Sequence, residues 1–172
     1  MSPRVLRAVA AAVLLAAAAG AWTWWHSPER RLARRLDALA ELLEKDREEG
    51  SLPAAARARA AVDFFAPGFL VRARPYEGSL ADPRELTGAV LRFRAAAPRV
   101  AIQVGDRDVE VAPGGRTGTV VFVATVTLER SGAGPGRESW RVRSLWVEDA
   151  GEWRISELEL VERLGGGLVL PF

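Results

Sequence analysis

The carboxylate of Asp63 has the best setting for acid–base chemistry in this sequence. It stands between Val62 and Phe64 near the end of a predicted helix, and a carboxylate in apolar surroundings can serve as a general base. The only histidine, His26, directly follows an apolar segment, and the only tyrosine, Tyr76, falls in a predicted loop. Asp63 is therefore a weak catalytic candidate, and the alternative is that its side chain faces no pocket.

The composition argues against several other kinds of site. The chain has no cysteine, which excludes disulfides, thiolate metal sites and a thiol nucleophile. It has no histidine after residue 26 and no dense acidic loop, so we expect no metal and no cofactor. Its 24 basic residues, all arginine except Lys45, alternate with 22 acidic ones. A nucleic-acid surface needs a concentrated basic patch with aromatic residues between the charges, so we expect no nucleic-acid partner.

The first 26 residues read as a membrane anchor. Residues 8–25 carry no charge and follow Arg4 and Arg7. A helix of 18 residues rises about 27 Å, close to the hydrocarbon thickness of a bilayer. Three tryptophans at its end are typical of an aromatic belt at the headgroups: Trp22, Trp24 and Trp25. We therefore predict a transmembrane helix.

A cleaved secretory signal is the alternative for this segment, because small residues stand at positions 17, 19 and 21. Both interpretations export the rest of the chain. Four arginines just beyond the segment favour the opposite orientation: Arg30, Arg31, Arg34 and Arg35. Long domains translocate largely regardless of charge, so we expect a single-pass protein of the bacterial inner membrane whose C-terminal domain is periplasmic.

The first helix of that domain is predicted from its cap and its leucines. Ser27, Pro28 and Glu29 form a helix start, and Gly50 is the predicted end. An apolar stripe follows the helical period: Leu32, Leu36, Leu39 and Leu43. The stripe packs either within its own domain or, less simply, in a short coiled-coil seam between two copies.

The remaining pattern predicts helices first and an antiparallel sheet afterwards, an α+β fold. The predicted elements are a helix over Pro53–Phe65, a strand over Phe69–Arg74, a helix from Asp82 to Ala96, and strands over 100–104, 109–111, 117–130, 139–148 and 153–162. Asp82, followed by Pro83 and Glu85, is the predicted cap of the third helix. The domain boundaries that follow are 27–164 for the globular part and 165–172 for a glycine hinge with an apolar tail.

Three short phrases accompany this element order: DVEV at 108–111, RTGTV at 116–120 and EDAGEWRI at 148–155. Together they resemble the nuclear transport factor 2-like superfamily, which includes polyketide cyclase and ketosteroid isomerase relatives, over Pro28 to Arg163. The resemblance implies a curved sheet wrapped around helices, forming a cone with an apolar pocket. It implies a fold rather than one chemistry.

Enzymatic relatives in this superfamily hold a carboxylate base in the pocket, commonly an acid followed by proline after the second helix. The matching positions here are Arg74 and Pro75. Arginine remains protonated at neutral pH and cannot abstract a proton. An isomerase, cyclase or dehydratase that uses Asp63 is therefore only the alternative function.

Aromatic residues supply the candidate pocket wall. Alternation along the predicted strand 139–148 places Trp140, Ser144 and Trp146 on one face, and Trp153 and Phe65 join them from neighbouring elements. These side chains either line a pocket for an apolar small ligand or fill the hydrophobic core, because both environments use aromatic residues.

The C-terminal residues are unusually apolar for a chain end. After glycines at 165–167 come Leu168, Leu170 and Phe172, which we expect to be buried on the domain itself, on a protein partner or on a second copy. We expect from the whole sequence a membrane-anchored envelope domain without catalytic activity. It would act by binding, as an accessory or assembly factor.

Overall fold

The computed structural model describes residues 13–15, 17–18, 22, 25–73, 78–129 and 135–166. The helices of the domain are α1 (Pro28–Leu43), α2 (Ser51–Val62) and α3 (Pro83–Ala95). Ser27 Oγ accepts a hydrogen bond from the Arg30 amide at 3.3 Å, and Asp82 Oδ1 accepts one from the Arg84 amide at 2.7 Å. Both predicted caps are therefore confirmed.

Six strands in the described ranges form a sheet: β1 (Phe65–Ala73), β2 (Ser79–Leu80), β3 (Arg99–Val111), β4 (Thr117–Glu129), β5 (Gly136–Asp149) and β6 (Glu152–Gly166). Their order is β2-β1-β6-β5-β4-β3. The α+β prediction is confirmed. The prediction of a wholly antiparallel sheet is wrong, because β1 runs parallel to β6, with Phe65 opposite Ile155.

Several element boundaries also differ from the predictions. Phe65 begins β1 instead of ending α2. The predicted turn at Gly105 and Asp106 is a bulge within one continuous strand, β3, and Asp106 takes a positive φ of 44° there. β6 continues to Gly166, so the first two glycines of the predicted hinge belong to the strand.

The leucine stripe of α1 packs against the sheet. Leu32, Leu36 and Leu39 are buried in the core of their own domain, which confirms the intramolecular interpretation over the coiled-coil seam. A Cβ added at Gly118 on β4 would lie 2.7 Å from Leu32 Cδ1. The absence of a side chain at Gly118 therefore allows α1 to approach the sheet closely.

α1 ends at Leu43, seven residues before the predicted end at Gly50. The segment that follows returns to the sheet. Lys45 and Val100 exchange two backbone hydrogen bonds of 2.8 Å. The buried Arg94 of α3 donates from Nη1 to the carbonyls of Leu42 and Glu44, at 2.8 and 2.7 Å. These carbonyls at the end of α1 are thus satisfied by a side chain instead of a further helical turn.

The two terminal segments are described only in part. In the predicted anchor, residues 13–15, 17–18, 22 and 25 are helical and exposed, whereas Trp24 lies outside the described residues. No helix within the described residues is long and apolar enough to cross a membrane. Leu168, Leu170 and Phe172 also lie outside the described residues.

Candidate functional site

The structure brings the five predicted pocket residues together on the inner face of the sheet. Trp140, Ser144 and Trp146 project inward from β5, Trp153 does so from β6, and Phe65 begins β1. Trp140 is 2% exposed and Trp146 is 1% exposed. The four aromatic residues belong to the buried hydrophobic core that also contains the α1 leucines, so these side chains are packed.

The polar atoms in this cluster form a short internal chain. Trp146 Nε1 donates to Ser144 Oγ at 2.8 Å, and Ser144 Oγ donates to the carbonyl of Val120 at 3.2 Å. This arrangement satisfies a buried indole and a buried hydroxyl without any outside group. It fixes the orientation of Trp146 across the inner face.

Asp63 lies outside this cluster. It is the exposed residue at the C-terminal end of α2, and its amide donates to the carbonyl of Arg59 at 3.3 Å. Its position is that of a helix end instead of a pocket base. His26 is exposed as well, and Arg74, Pro75 and Tyr76 lie outside the described residues.

The sequence reading missed one buried carboxylate, Glu138, which is 1% exposed on the inner face of β5. Its Oε1 accepts a hydrogen bond from Trp140 Nε1 at 2.6 Å and lies 3.2 Å from Arg163 Nε. Its Oε2 is buried and has no hydrogen-bond partner among the described residues. Glu138 is a buried carboxylate that contacts the aromatic cluster through Trp140, so it replaces Asp63 as the acid–base candidate.

The alternation of β5 contained the signal for Glu138, because it stands two residues before Trp140. The predicted strand begins at residue 139, which leaves Glu138 outside it. The observed strand begins at Gly136.

Two open cavities in the described part of the chain lie outside the packed cluster. One, of about 660 Å³, opens beside Thr119, Leu145 and Ser156, and Trp146 contributes to its wall. The other, of about 270 Å³, lies between α1 and the β5–β6 turn and includes Trp153. Neither cavity is lined by Phe65, Trp140 or Ser144. In the same ranges, no group of histidine, cysteine or acidic side chains is arranged to hold a metal ion.

Comparison with protein families and with curated proteins finds no match. Solved structures do match. A putative scytalone dehydratase from Novosphingobium aromaticivorans is 11% identical, with a TM-score of 0.65 over 80% of this chain and 85% of that chain. An ntf2-like protein with a cystatin-like fold, also from N. aromaticivorans, is 14% identical, with a TM-score of 0.58 over 75% and 77%.

A third match is a putative calcium/calmodulin dependent protein kinase II association domain from Xanthomonas campestris, 15% identical, with a TM-score of 0.60 over 77% and 86% of the two chains. The chain has a nuclear transport factor 2-like fold. At these identities the likeness concerns the fold alone, so the activities of those proteins do not transfer to this one.

The outer face of this nuclear transport factor 2-like sheet is half-apolar and carries separated charges. The strand register aligns Asp108 on β3, Val121 on β4 and Arg143 on β5 in one row. Asp108 and Arg143 are exposed, and Val121 and Val123 are half-buried. Neither Asp108 nor Arg143 forms an ion pair with another described residue, unlike Arg141, which lies 3.0 Å from Glu162. One strand, β4, lies between these two charges, so they are two strand spacings apart, about 10 Å in a sheet.

Proposed function

We propose that this chain is a non-catalytic domain of the bacterial envelope that acts by binding, as an accessory or assembly protein. The observation that supports this function is the filled inner face. Trp140 and Trp146 are almost fully buried there, and the indole of Trp146 is satisfied by Ser144. For the same reason, binding belongs to the outer surfaces instead of an inner pocket for an apolar small ligand.

The proposal includes a single N-terminal span that holds the domain outside the cytoplasm. Its support is the uncharged stretch 8–25 with arginines before it and tryptophans at its end. A reporter enzyme that works only outside the cytoplasm is expected to be active when it is fused after Phe172. The protein should also stay in the membrane fraction after an alkaline carbonate wash. Activity of a cytoplasm-only reporter would contradict this topology.

The partner proposed for the outer sheet face is a second copy of the chain. A two-fold axis parallel to β4 and passing over Val121 lays β3 of one copy over β5 of the other. Asp108 of each copy then faces Arg143 of the other, and the Val121 side chains meet at the centre. Two charges without an ion pair among the described residues of one copy thereby become paired twice in the dimer. The apolar tail with Leu168, Leu170 and Phe172 is a further proposed contact for a protein partner.

Glu138 is the observation that favours the alternative, a small-molecule dehydratase, cyclase or isomerase. Its buried Oε2 has no hydrogen-bond partner among the described residues. The likeness to a putative scytalone dehydratase is consistent with this alternative.

The catalytic alternative is tested with the purified full-length chain and scytalone. We expect no dehydration above the uncatalysed rate in the wild type, in Glu138→Gln or in the control Asp63→Asn. General-base catalysis contributes about 10²–10⁴-fold to a rate. Wild-type turnover that falls by this factor in Glu138→Gln, but not in Asp63→Asn, would replace our proposal with the enzymatic one.

A further inference from the structure

The smaller cavity is built mainly from arginines. It lies between the first turns of α1 and the β5–β6 turn, and its volume is about 270 Å³. The residues around it are Arg31, Arg34, Arg35, Ala38, Gly151, Glu152 and Trp153. Because these residues come from both ends of the domain sequence, the cavity exists only in the folded chain.

The walls of this cavity contain more hydrogen-bond donors than acceptors. Trp153 is 3% exposed, and its Nε1 has no acceptor among the described residues. The buried Nε atoms of Arg31 and Arg35 lack acceptors as well. Buried donors without partners cost free energy and are rare in folded proteins. An oxygen-rich group held in the cavity would add acceptors to walls that are rich in donors.

Two acidic residues hold the arginines in place without neutralising the site. Arg31 Nη2 donates to Glu148 Oε1 at 3.3 Å, and Arg35 Nη1 lies 3.4 Å from Glu152 Oε2. Arg35 also stacks on Phe64, with its guanidinium carbon 4.0 Å from the ring centroid. These contacts fix two guanidinium groups before any ligand arrives, which lowers the entropic cost of binding.

The third arginine has no acidic partner among the described residues. Arg34 Nη1 donates to the carbonyl of Trp25 at 3.3 Å, and its guanidinium lies 5.7 Å from the centroid of the Trp25 ring. Three arginines against two carboxylates leave one positive charge at the cavity. Arg34 is exposed, so it can close over a ligand.

We propose that this cavity binds a phosphate group, either the headgroup of an anionic phospholipid or a soluble phosphate. A phosphate presents several acceptor oxygens in tetrahedral directions, which suits donors that come from α1 on one side and from Trp153 on the other. Arginine is the residue that most readily forms paired hydrogen bonds to phosphate. The exposed Trp25 beside Arg34, 56% accessible, is a side chain suited to a membrane surface.

The test follows the indole N–H of Trp153 by NMR. The ¹⁵N-labelled full-length chain in neutral dodecyl maltoside micelles is titrated with inorganic phosphate. The indole resonance is then compared between phosphatidylcholine bicelles with and without phosphatidylglycerol. The Trp153→Phe variant assigns the resonance. We expect a saturable downfield shift of the indole proton, because it gains an acceptor. A shift with inorganic phosphate identifies a soluble ligand, and a shift with phosphatidylglycerol alone identifies a lipid headgroup.

Matched variants separate a built site from general attraction to basic charge. Arg34→Gln is expected to weaken binding about tenfold, as loss of one charge-assisted contact implies. Arg30→Gln removes the same charge four residues earlier, outside the cavity wall, and should change the affinity less than twofold. Glu152→Gln removes a negative charge from the cavity wall while its amide oxygen can still accept from Arg35, so it should strengthen binding several-fold.

Three results would each overturn the proposal. The first is an indole resonance that responds to neither inorganic phosphate nor phosphatidylglycerol. The second is an equal response to acetate, which would show that the site does not select phosphate. The third is an equal loss of affinity in Arg34→Gln and Arg30→Gln, which would reduce the effect to net charge.

Discussion

Reversing the charge of Arg143 is expected to convert the proposed dimer into a monomer. In the two-fold arrangement each Arg143 faces Asp108 of the other copy, so Arg143→Glu replaces two attractive contacts with two repulsive ones. Coupling energies of close charge pairs across interfaces begin at about 1.5 kcal/mol. Two such contacts predict a dissociation constant raised by at least about 100-fold. Sedimentation velocity of the full chain in neutral detergent measures this change.

The double variant makes the test specific. Arg143→Glu combined with Asp108→Arg exchanges the two charges and should restore the dimer. Arg92→Glu alters an exposed arginine on α3, away from the sheet, and serves as the control. A wild-type chain that stays monomeric at about 100 µM would contradict the proposed interface. A dissociation constant of about 100 µM corresponds to roughly 5.5 kcal/mol of association free energy. A double variant that remains dissociated would contradict the pairing of Asp108 with Arg143.

The parts of the fold that were predicted correctly are encoded within short stretches of sequence. The stripe Leu32, Leu36 and Leu39 follows one helical period, and the Asp82 cap depends on residues two and three positions away. Each of these features arises from chemistry between neighbours in the chain. Such signals are readable without knowledge of the tertiary structure.

The features that were missed depend on contacts between distant residues. Phe65 pairs with Ile155, and nothing local to either residue indicates a parallel partner. Arg94 is buried because the chain after α1 brings Glu49 to it, with an ion pair of 2.6 Å. An arginine on a predicted amphipathic helix otherwise indicates a solvent-facing position. Contacts of this kind become visible only in the folded chain.

Whether the inner tryptophans fill a core or line a pocket was the main ambiguity left by the sequence. Tryptophans such as Trp140 and Trp146 are common both in hydrophobic cores and in pocket walls, so the residue type alone does not separate the two. The core is favoured by the burial of both indoles, 2% and 1% exposed, and by the hydrogen bond from Trp146 Nε1 to Ser144 Oγ. The outer sheet face and the arginine-lined cavity are the surfaces to which we assign binding.

Truncation of one tryptophan tests this interpretation directly. Trp146→Ala is expected to lower the free energy of unfolding by about 3–5 kcal/mol, because it removes a buried aromatic side chain and leaves a cavity. Single domains are stable by about 5–15 kcal/mol, so the variant should still fold in the cold. Trp25→Ala, at an exposed position, should change the stability little. Chemical denaturation of the full-length proteins in the same detergent gives both values.

The cavity created in Trp146→Ala should bind indole, the ring system that the substitution removes. Added indole is expected to raise the melting temperature of the variant, because its ring fills the space and its N–H can donate to Ser144 Oγ. N-methylindole, which lacks that donor, should restore less, and neither compound should stabilise the wild type. If the wild type were itself stabilised by indole, or if Trp146→Ala cost less than about 1 kcal/mol, too little for a cavity in a packed core, the tryptophans would line an open pocket. The proposed binding function would then move from the outer surfaces to the inner face of the sheet.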